Sequence, residues 1–258
     1  MAKWTKFPHA DKTYVYAGDA LKKNWARLHK GDAEPYPKAQ AAQEAWRLYH
    51  AGEFEKAVEA GLDAGDSSGL NAANKAAVIY ATYLEKADAR KLAIFQEVAA
   101  RCEAEAKAHP KNANAHYLHA AALGRYAQGI SITKALAQGI GGKVKESLAA
   151  ATRAEPKHAD AHIALGTYHA EIIDKVGAMV GGLTYGAKKE TGVEMFEKAL
   201  ELNPDSAIAR IEYANGLVMM FGKAKMKDAE KLYADAAACR PMDAMERLDV
   251  ELAKENLE

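Results

Sequence analysis

The 258-residue sequence is short of cysteine, short of proline and without a charge excess. Each shortage removes a class of protein. The two cysteines, Cys102 and Cys239, stand far apart and without metal-ligand spacing. Both read as small buried apolar residues rather than as a disulfide framework or a zinc cluster. Lys and Arg total 35, and so do Asp and Glu. No nucleic-acid partner is expected, because neutralising phosphates calls for a basic excess. No run reaches the roughly 18 apolar residues of a membrane span. The opening MAKWTKFPHADKTY lacks the apolar core of a secretory signal, so a cytoplasmic location is expected. Seven prolines and an absence of alternating β-branched runs leave few breaks in a chain that is 49% apolar, much of it alanine. Alanine favours helix and lets helices approach closely, so the expected class is all-α.

What is present is regular punctuation. Trp4 and Phe7 precede Pro8 in an aromatic-anchored tail. Tyr14, Ala17, Leu21, Trp25 and Leu28 then recur at three- and four-residue intervals, one face of a helix. Pro35 and Pro37 stop any continuation. Residues 41–65 read as a helix hairpin. Trp46 and Tyr49 close its first helix, Gly52 turns the chain, and Phe54, Ala57, Val58 and Leu62 open its second. A second pair spans 67–109, with Ser67 or Ser68 as the N-cap of one helix and Asp88 of the other.

Three near-copies follow: PKNANAH from Pro110, PKHADAH from Pro156 and PDSAIAR from Pro204, with a further proline at 241. Ahead of each later proline runs a helix of small and bulky residues in alternation. These read Val144, Leu148, Ala151, then Gly192, Phe196, Ala199, then Ala229, Tyr233, Ala236. The helix after each proline carries His116, His119, Leu123 in the first copy, His162, Leu165, Gly166, His169 in the second and Arg210, Tyr213, Leu217 in the third. Proline ends one helix pair and polar residues cap the next. A helix of about 14 residues is marginal alone, so each pair depends on its neighbours. HIALG at 162–166 and MFEKALELNP at 195–204 resemble the tetratricopeptide repeat from about residue 37 to 241. That resemblance implies an α-α superhelix of about five antiparallel pairs. The expected organisation is one domain over 1–258: a tail and helix at 1–36, repeats at 37–241, and a capping helix at 242–258.

Two repeats exceed the usual period of about 34 residues. The excess is GISITKALAQGIGG at 129–142 and GAMVGGLTYG at 177–186. Both interrupt the turn inside a helix pair, and both are apolar and rich in glycine. An exposed loop would be polar, so these segments are expected to cover the helices, to line a ligand cavity, or to meet another subunit or a membrane surface. With such inserts, 156–241 resembles the repeats of the regulator-of-microtubule-dynamics family. That resemblance implies fold and carries no catalytic residues. The inserts are also similar to the helical T component of tripartite solute transporters. That group implies a lipid anchor and a secretion signal, and the first likeness is preferred.

Chemistry-bearing patterns are thin. Six of the nine histidines fall between 109 and 169, but His116, His119, His162 and His169 sit at packing positions, and no metal is expected. GIGGKVKES at 139–147 misses the phosphate-loop pattern, with Ala137 at its first glycine position and Val144 after the lysine. Neither a catalytic constellation nor a cofactor is expected. Function is expected on the concave face, offset from the packing stripe. There lie Asn114, Tyr117 and Arg125, then Asp160, Ile163, Thr167 and Glu171, then Ile211, Asn215 and Met219. The favoured expectation is a non-enzymatic scaffold that takes a peptide or helix of a protein partner in that groove. A carrier of a small apolar ligand, its pocket closed by 129–142 and 177–186, is the alternative. A self-assembling structural protein is a weaker third. Nothing in the sequence fixes the oligomeric state.

Overall fold

Pro110, Pro156 and Pro204 each stand between two helices in the computed structural model, which describes residues 4–257. Two residues past each proline a side chain caps the next helix. Asn112, His158 and Ser206 accept from the backbone N–H of Ala115, Ala161 and Ala209 at 3.2, 3.1 and 3.1 Å. Six residues past each proline a side chain reaches back. His116, His162 and Arg210 donate to the carbonyls of Pro110, Pro156 and Pro204 at 3.0, 3.0 and 2.7 Å. Backbone groups at helix ends lack intrahelical partners. The repeated PKNANAH, PKHADAH and PDSAIAR words supply those partners from fixed positions.

The elements follow the punctuation. A single 3-10 turn, Lys12–Tyr14, precedes α1 (Asp19–Leu28). The apolar pattern predicts one helix from Tyr14, but Gly18 at φ 55° breaks it. Tyr14, Leu21, Trp25 and Leu28 still share one core. The first pair is α2 (Gln40–His50) and α3 (Phe54–Ala64), turning at Gly52 with φ 80°. The second is α4 (Ser67–Tyr83) and α5 (Asp88–Ala108). The cap of α4 is Asp66, which accepts from the Gly69 N–H at 2.7 Å, one residue before the serines the sequence points to. Asp88 is the first helical residue of α5 rather than its cap. Glu85 holds that turn by accepting from the N–H groups of Lys86 and Ala87 at 2.9 and 3.0 Å.

Next come α6 (Ala113–Ile130), a short α7 (Ile132–Ala137) and α8 (Ile140–Ala154). After them run α9 (Ala159–Val176), a one-turn α10 (Ala178–Val180) and α11 (Lys189–Leu202). The last pair is α12 (Ala207–Phe221) and α13 (Met226–Ala237), and α14 (Ala244–Glu255) ends the series. The architecture is therefore an all-helical α-α superhelix of five pairs, with no strand among the described residues.

Small residues set the spacing between pairs. Phe196 on α11 is fully buried between Gly166 on α9 and Gly216 on α12. A Cβ built on either glycine would lie 2.7 or 2.5 Å from its ring. Cys102 is buried among Val98 and Leu118, and both cysteines are free thiols.

The superhelix curls until its last helix meets its first pair. Tyr16 donates to the Met242 carbonyl at 2.6 Å, His50 on α2 bonds Asp243 at 2.7 Å, and Arg27 on α1 pairs with Glu246 at 2.6 Å. Ala244 and Leu248 of α14 enter the same core as Trp25, Trp46, Tyr49 and Tyr80. The aromatic tail is anchored too. Trp4 stacks on Tyr80 at 3.8 Å, and Phe7 meets Phe54 edge-on at 6.2 Å.

Candidate functional site: the enclosed concave face

The first helices of the five pairs line the inner side of the curl, and the chain fills part of that side itself. Between α1 and α2 the segment 29–37 crosses the inner face as a strap. Its backbone joins α9 directly, with the Asp160 N–H donating to the Gly31 carbonyl at 2.9 Å. Glu34 accepts from Ser68 Oγ at 2.7 Å, Asn71 Nδ2 at 2.9 Å and Asn114 Nδ2 at 2.7 Å. Burial, with the Asp32 charge beside it, pushes the Glu34 carboxyl up to about 7, against the pull of those three donors.

Asp32 is the deeper anchor. Its two oxygens meet His29 Nδ1 at 2.9 Å and Lys75 Nζ at 2.5 Å. Lys75 also lies 3.7 Å from Asp160. Burial opposes both charges, yet each ion outweighs it for the other. Asp32 is held well below the usual carboxylate range and Lys75 well above the usual amine. From His29 the chain of contacts continues to His50, Nε2 to Nε2 at 3.2 Å, and on to Asp243. Ionised carboxylates only accept, so both Nδ1 atoms donate to them. The contact between the two rings becomes a hydrogen bond only when a third proton is bound.

Beyond the strap lies a cavity of about 170 Å³. Its walls come from α4, α6, α9, α12 and α14, and its floor from the first insert. Ile132, Ala135, Leu136 and Ile140 supply that floor, with Val144 and Leu148 behind them. The lining is mainly apolar. Arg125 pairs with Glu212 at 3.1 Å, and Thr167 donates to the same carboxylate at 3.2 Å. Gln128 donates to Glu171 at 2.6 Å, and Tyr83 to Asp249 at 2.5 Å. Burial pushes Asp160 up to about 6 and Asp249 up to about 8, the latter with Asp243 and Glu246 adding to the effect.

The ten residues singled out from the sequence divide three ways. Tyr117, Arg125, Asp160, Ile163, Thr167 and Glu171 all line the cavity. Asn114 faces inward but is held by the strap, donating also to the Asp32 carbonyl at 3.0 Å. Ile211 is buried under α13 and α14 with Ala236 and Val250. Asn215 accepts from the Tyr233 hydroxyl at 2.6 Å, and Met219 lies exposed away from the cavity. On α12 it is Ile208 and Glu212 that reach the cavity. The sequence stripe drifts there because α14 packs over the face that would otherwise be concave.

The inserts part company. No residue of 177–186 lines the cavity. That segment docks by its backbone, with Lys145 donating to the Tyr185 carbonyl at 2.8 Å. It leaves Met179 76% and Leu183 85% exposed. The histidines are dispersed. His119 bonds Ser147 Oγ at 2.7 Å and His169 accepts from the Lys188 N–H at 3.1 Å. Among the described residues no three His, Cys, Asp or Glu side chains gather as metal ligands. No helix among them is long and apolar enough to cross a membrane.

Asp32, Glu34, Lys75, Tyr83 and Asp249 escape the sequence reading. The strap, HKGDAEPYP, has the composition of a solvated break. One signal was available: α4 carries Asn71, Asn74 and Lys75 in an otherwise apolar run, and buried polar groups require partners.

No protein-family model and no curated protein matches this chain. Solved structures do. A thermophilic tetratricopeptide-repeat protein of Thermus thermophilus superposes with a TM-score of 0.56 at 17% identity, over 84% of this chain and 98% of its own. A monomeric mutant of IFIT1, solved with Gppp-AAAA, aligns at 17% identity with a TM-score of 0.43, over 86% of this chain and 55% of that one. At this identity the first match speaks for the repeat fold.

Proposed function

We propose that this repeat protein binds a small molecule with an apolar body in the cavity on its inner face, without transforming it. One observation carries the reading: the strap and α14 cover part of the inner face, and beyond them lies an apolar cavity of about 170 Å³ floored by the first insert. Cavities of about this size accept a single aromatic ring. The single domain over 1–258 belongs to the same proposal, since strap, repeats and α14 all build the walls. A cytoplasmic setting fits its two free thiols. The likeness of 156–241 to the regulator-of-microtubule-dynamics repeats adds no residue to it.

The test is a thermal-shift titration with benzene and indole, repeated on Ala121→Trp, which places a ring in the cavity. Stabilisation of the parent protein that disappears in the variant is expected. No stabilisation by either probe, in a protein whose variant is well folded, overturns the reading.

The protein-scaffold reading has an observation of its own. Met179, Val180 and Leu183 form an exposed apolar surface on the second insert. A partner protein would meet that surface rather than the inner groove. Affinity capture with Leu183→Glu beside the parent chain tests it: a captured partner lost by the variant supports the scaffold, and one retained by it removes this surface.

A further inference from the structure

The cavity's charge arrangement narrows the chemistry of what fills it, on the premise that the cavity is a binding site. Two cations, Lys75 and Arg125, and four carboxyls, Asp160, Glu171, Glu212 and Asp249, line it. Both cations are already engaged. Lys75 lies between Asp32 and Asp160, and Arg125 pairs with Glu212. Two carboxyls are left without a cation.

Asp249 is the buried one, at 3% exposure. One of its oxygens accepts from the Tyr83 hydroxyl. The other accepts no hydrogen bond from the described residues. The charges that act on it most strongly, Asp243, Glu246 and Asp160, are of its own sign. Beside Tyr83 on α4, Thr82 lines the same cavity, and its Oγ1 is buried and without a partner. A buried carboxyl left half-satisfied is costly, and so is a buried hydroxyl. Here both residues stand at the wall of a mainly apolar space.

We infer that the cavity takes an amphipathic amine, with the apolar body against Ile132, Leu136, Ile163 and Ile172 and the ammonium group donating to Asp249. An ammonium offers three donors and no acceptor. It meets the free oxygen of Asp249 and brings a positive charge to a carboxyl that otherwise keeps its proton in the folded chain. An acid in the same place would face four carboxyls with both cations engaged. A neutral alcohol would donate to the same oxygen without bringing that charge.

Three soluble probes of similar size separate the cases: 2-phenylethylamine, 2-phenylethanol and phenylacetate. Binding to the full chain is measured by calorimetry at fixed ionic strength. The amine is expected to bind at least about tenfold more tightly than the alcohol, the difference made by a hydrogen bond to a charged group, and the acid more weakly than either. Asp249→Asn should bring amine and alcohol to equal affinity. If that variant fails to fold, Tyr83→Phe carries the test. It removes the one donor to the carboxyl, and the amine preference should widen.

An alcohol or acid that binds as tightly as the amine overturns the head-group assignment while leaving the cavity as a binding site. So does a preference that survives Asp249→Asn, or one that fails to widen in Tyr83→Phe. If none of the three probes binds and benzene gives no thermal shift, the binding-site premise falls instead.

Discussion

The Asp32–Lys75 pair fastens the strap to α4, and replacing Lys75 with Met tests that fastening. Lys75 is 6% exposed and Asp32 1%, so water does not rescue either when its partner goes. Removing one member of a buried pair costs about 3–5 kcal/mol, because the other charge stays buried. His29 offers a partial escape, since it also touches Asp32 at 2.9 Å and can accept a proton. In the intact protein burial holds it down to about 4, against the pull of Asp32. Protonating it at pH 7 would therefore take about 4 kcal/mol, so the escape is closed there. Near pH 5 it opens, more so once the Lys75 charge is gone. The expected result is a loss of about 3–5 kcal/mol at pH 7 that shrinks clearly at pH 5, read by urea denaturation at both pH values. The double variant Asp32→Asn with Lys75→Met removes the unpaired Asp32 charge and should be more stable than Lys75→Met alone. A Lys75→Met loss below about 1 kcal/mol would refute the reasoning, being the size of an exposed pair. So would a double variant whose loss equals the sum of the singles.

Stability should also fall as pH rises from 6.5 to 8.5. Asp249 and Glu34 hold protons in the folded state, up to about 8 and about 7, that the unfolded chain releases. Raised carboxyls stabilise below their unfolded pKa and lose that contribution as pH climbs through the folded one. Asp249 alone accounts for about 2 kcal/mol across this window, so thermal melts of Asp249→Asn should show a flatter slope. The histidines held near 4, His29, His158 and His169, act in the opposite sense, and only below about pH 6.5, where the unfolded chain gains protons that they refuse. Gly166→Ala should cost about 1–3 kcal/mol by forcing the Phe196 ring aside, whereas Gly142→Ala, in open space within α8, should stabilise by up to about 1 kcal/mol, and chemical denaturation of both compares them. Cys102, buried and pushed up to about 12 by that burial, should stay unreactive to a thiol reagent in the native state while Cys239 reacts.

Periodicity made the helix pairs legible. The spacing from each proline carried its information locally, in the cap two residues on and the donor six residues on. The small-bulky rhythm around Phe196 was legible for the same reason, since packing between adjacent pairs repeats along the chain. Six of the ten residues expected to face inward line the cavity because α6 and α9 have like neighbours on both sides. The reading failed where the partners are distant in sequence. Nothing local ties Asp32 to Lys75, Tyr83 to Asp249 or Ile211 to Val250. The first exists because the strap folds back across α4, the second because the curl brings the two ends of the row together, and the third because α14 packs onto α12; a repeat pattern holds no term for any of them. The inserts show the same divide: apolar composition marked both as unusual, and only the tertiary arrangement sends 129–142 inward and leaves 177–186 outside.

A row of helix pairs with open ends can lose a terminal member and keep the rest, because each unit answers only to its neighbours. This one has no spare ends. Hydrogen bonds that join residue 16 to 242, 50 to 243 and 83 to 249 make the first and last units neighbours. Trimming either terminus removes a wall that the opposite terminus leans on. The array should melt as a single indivisible ring rather than fray from its tips, and it should fold more slowly than its helix content alone would suggest, because the seam joins positions more than 160 residues apart.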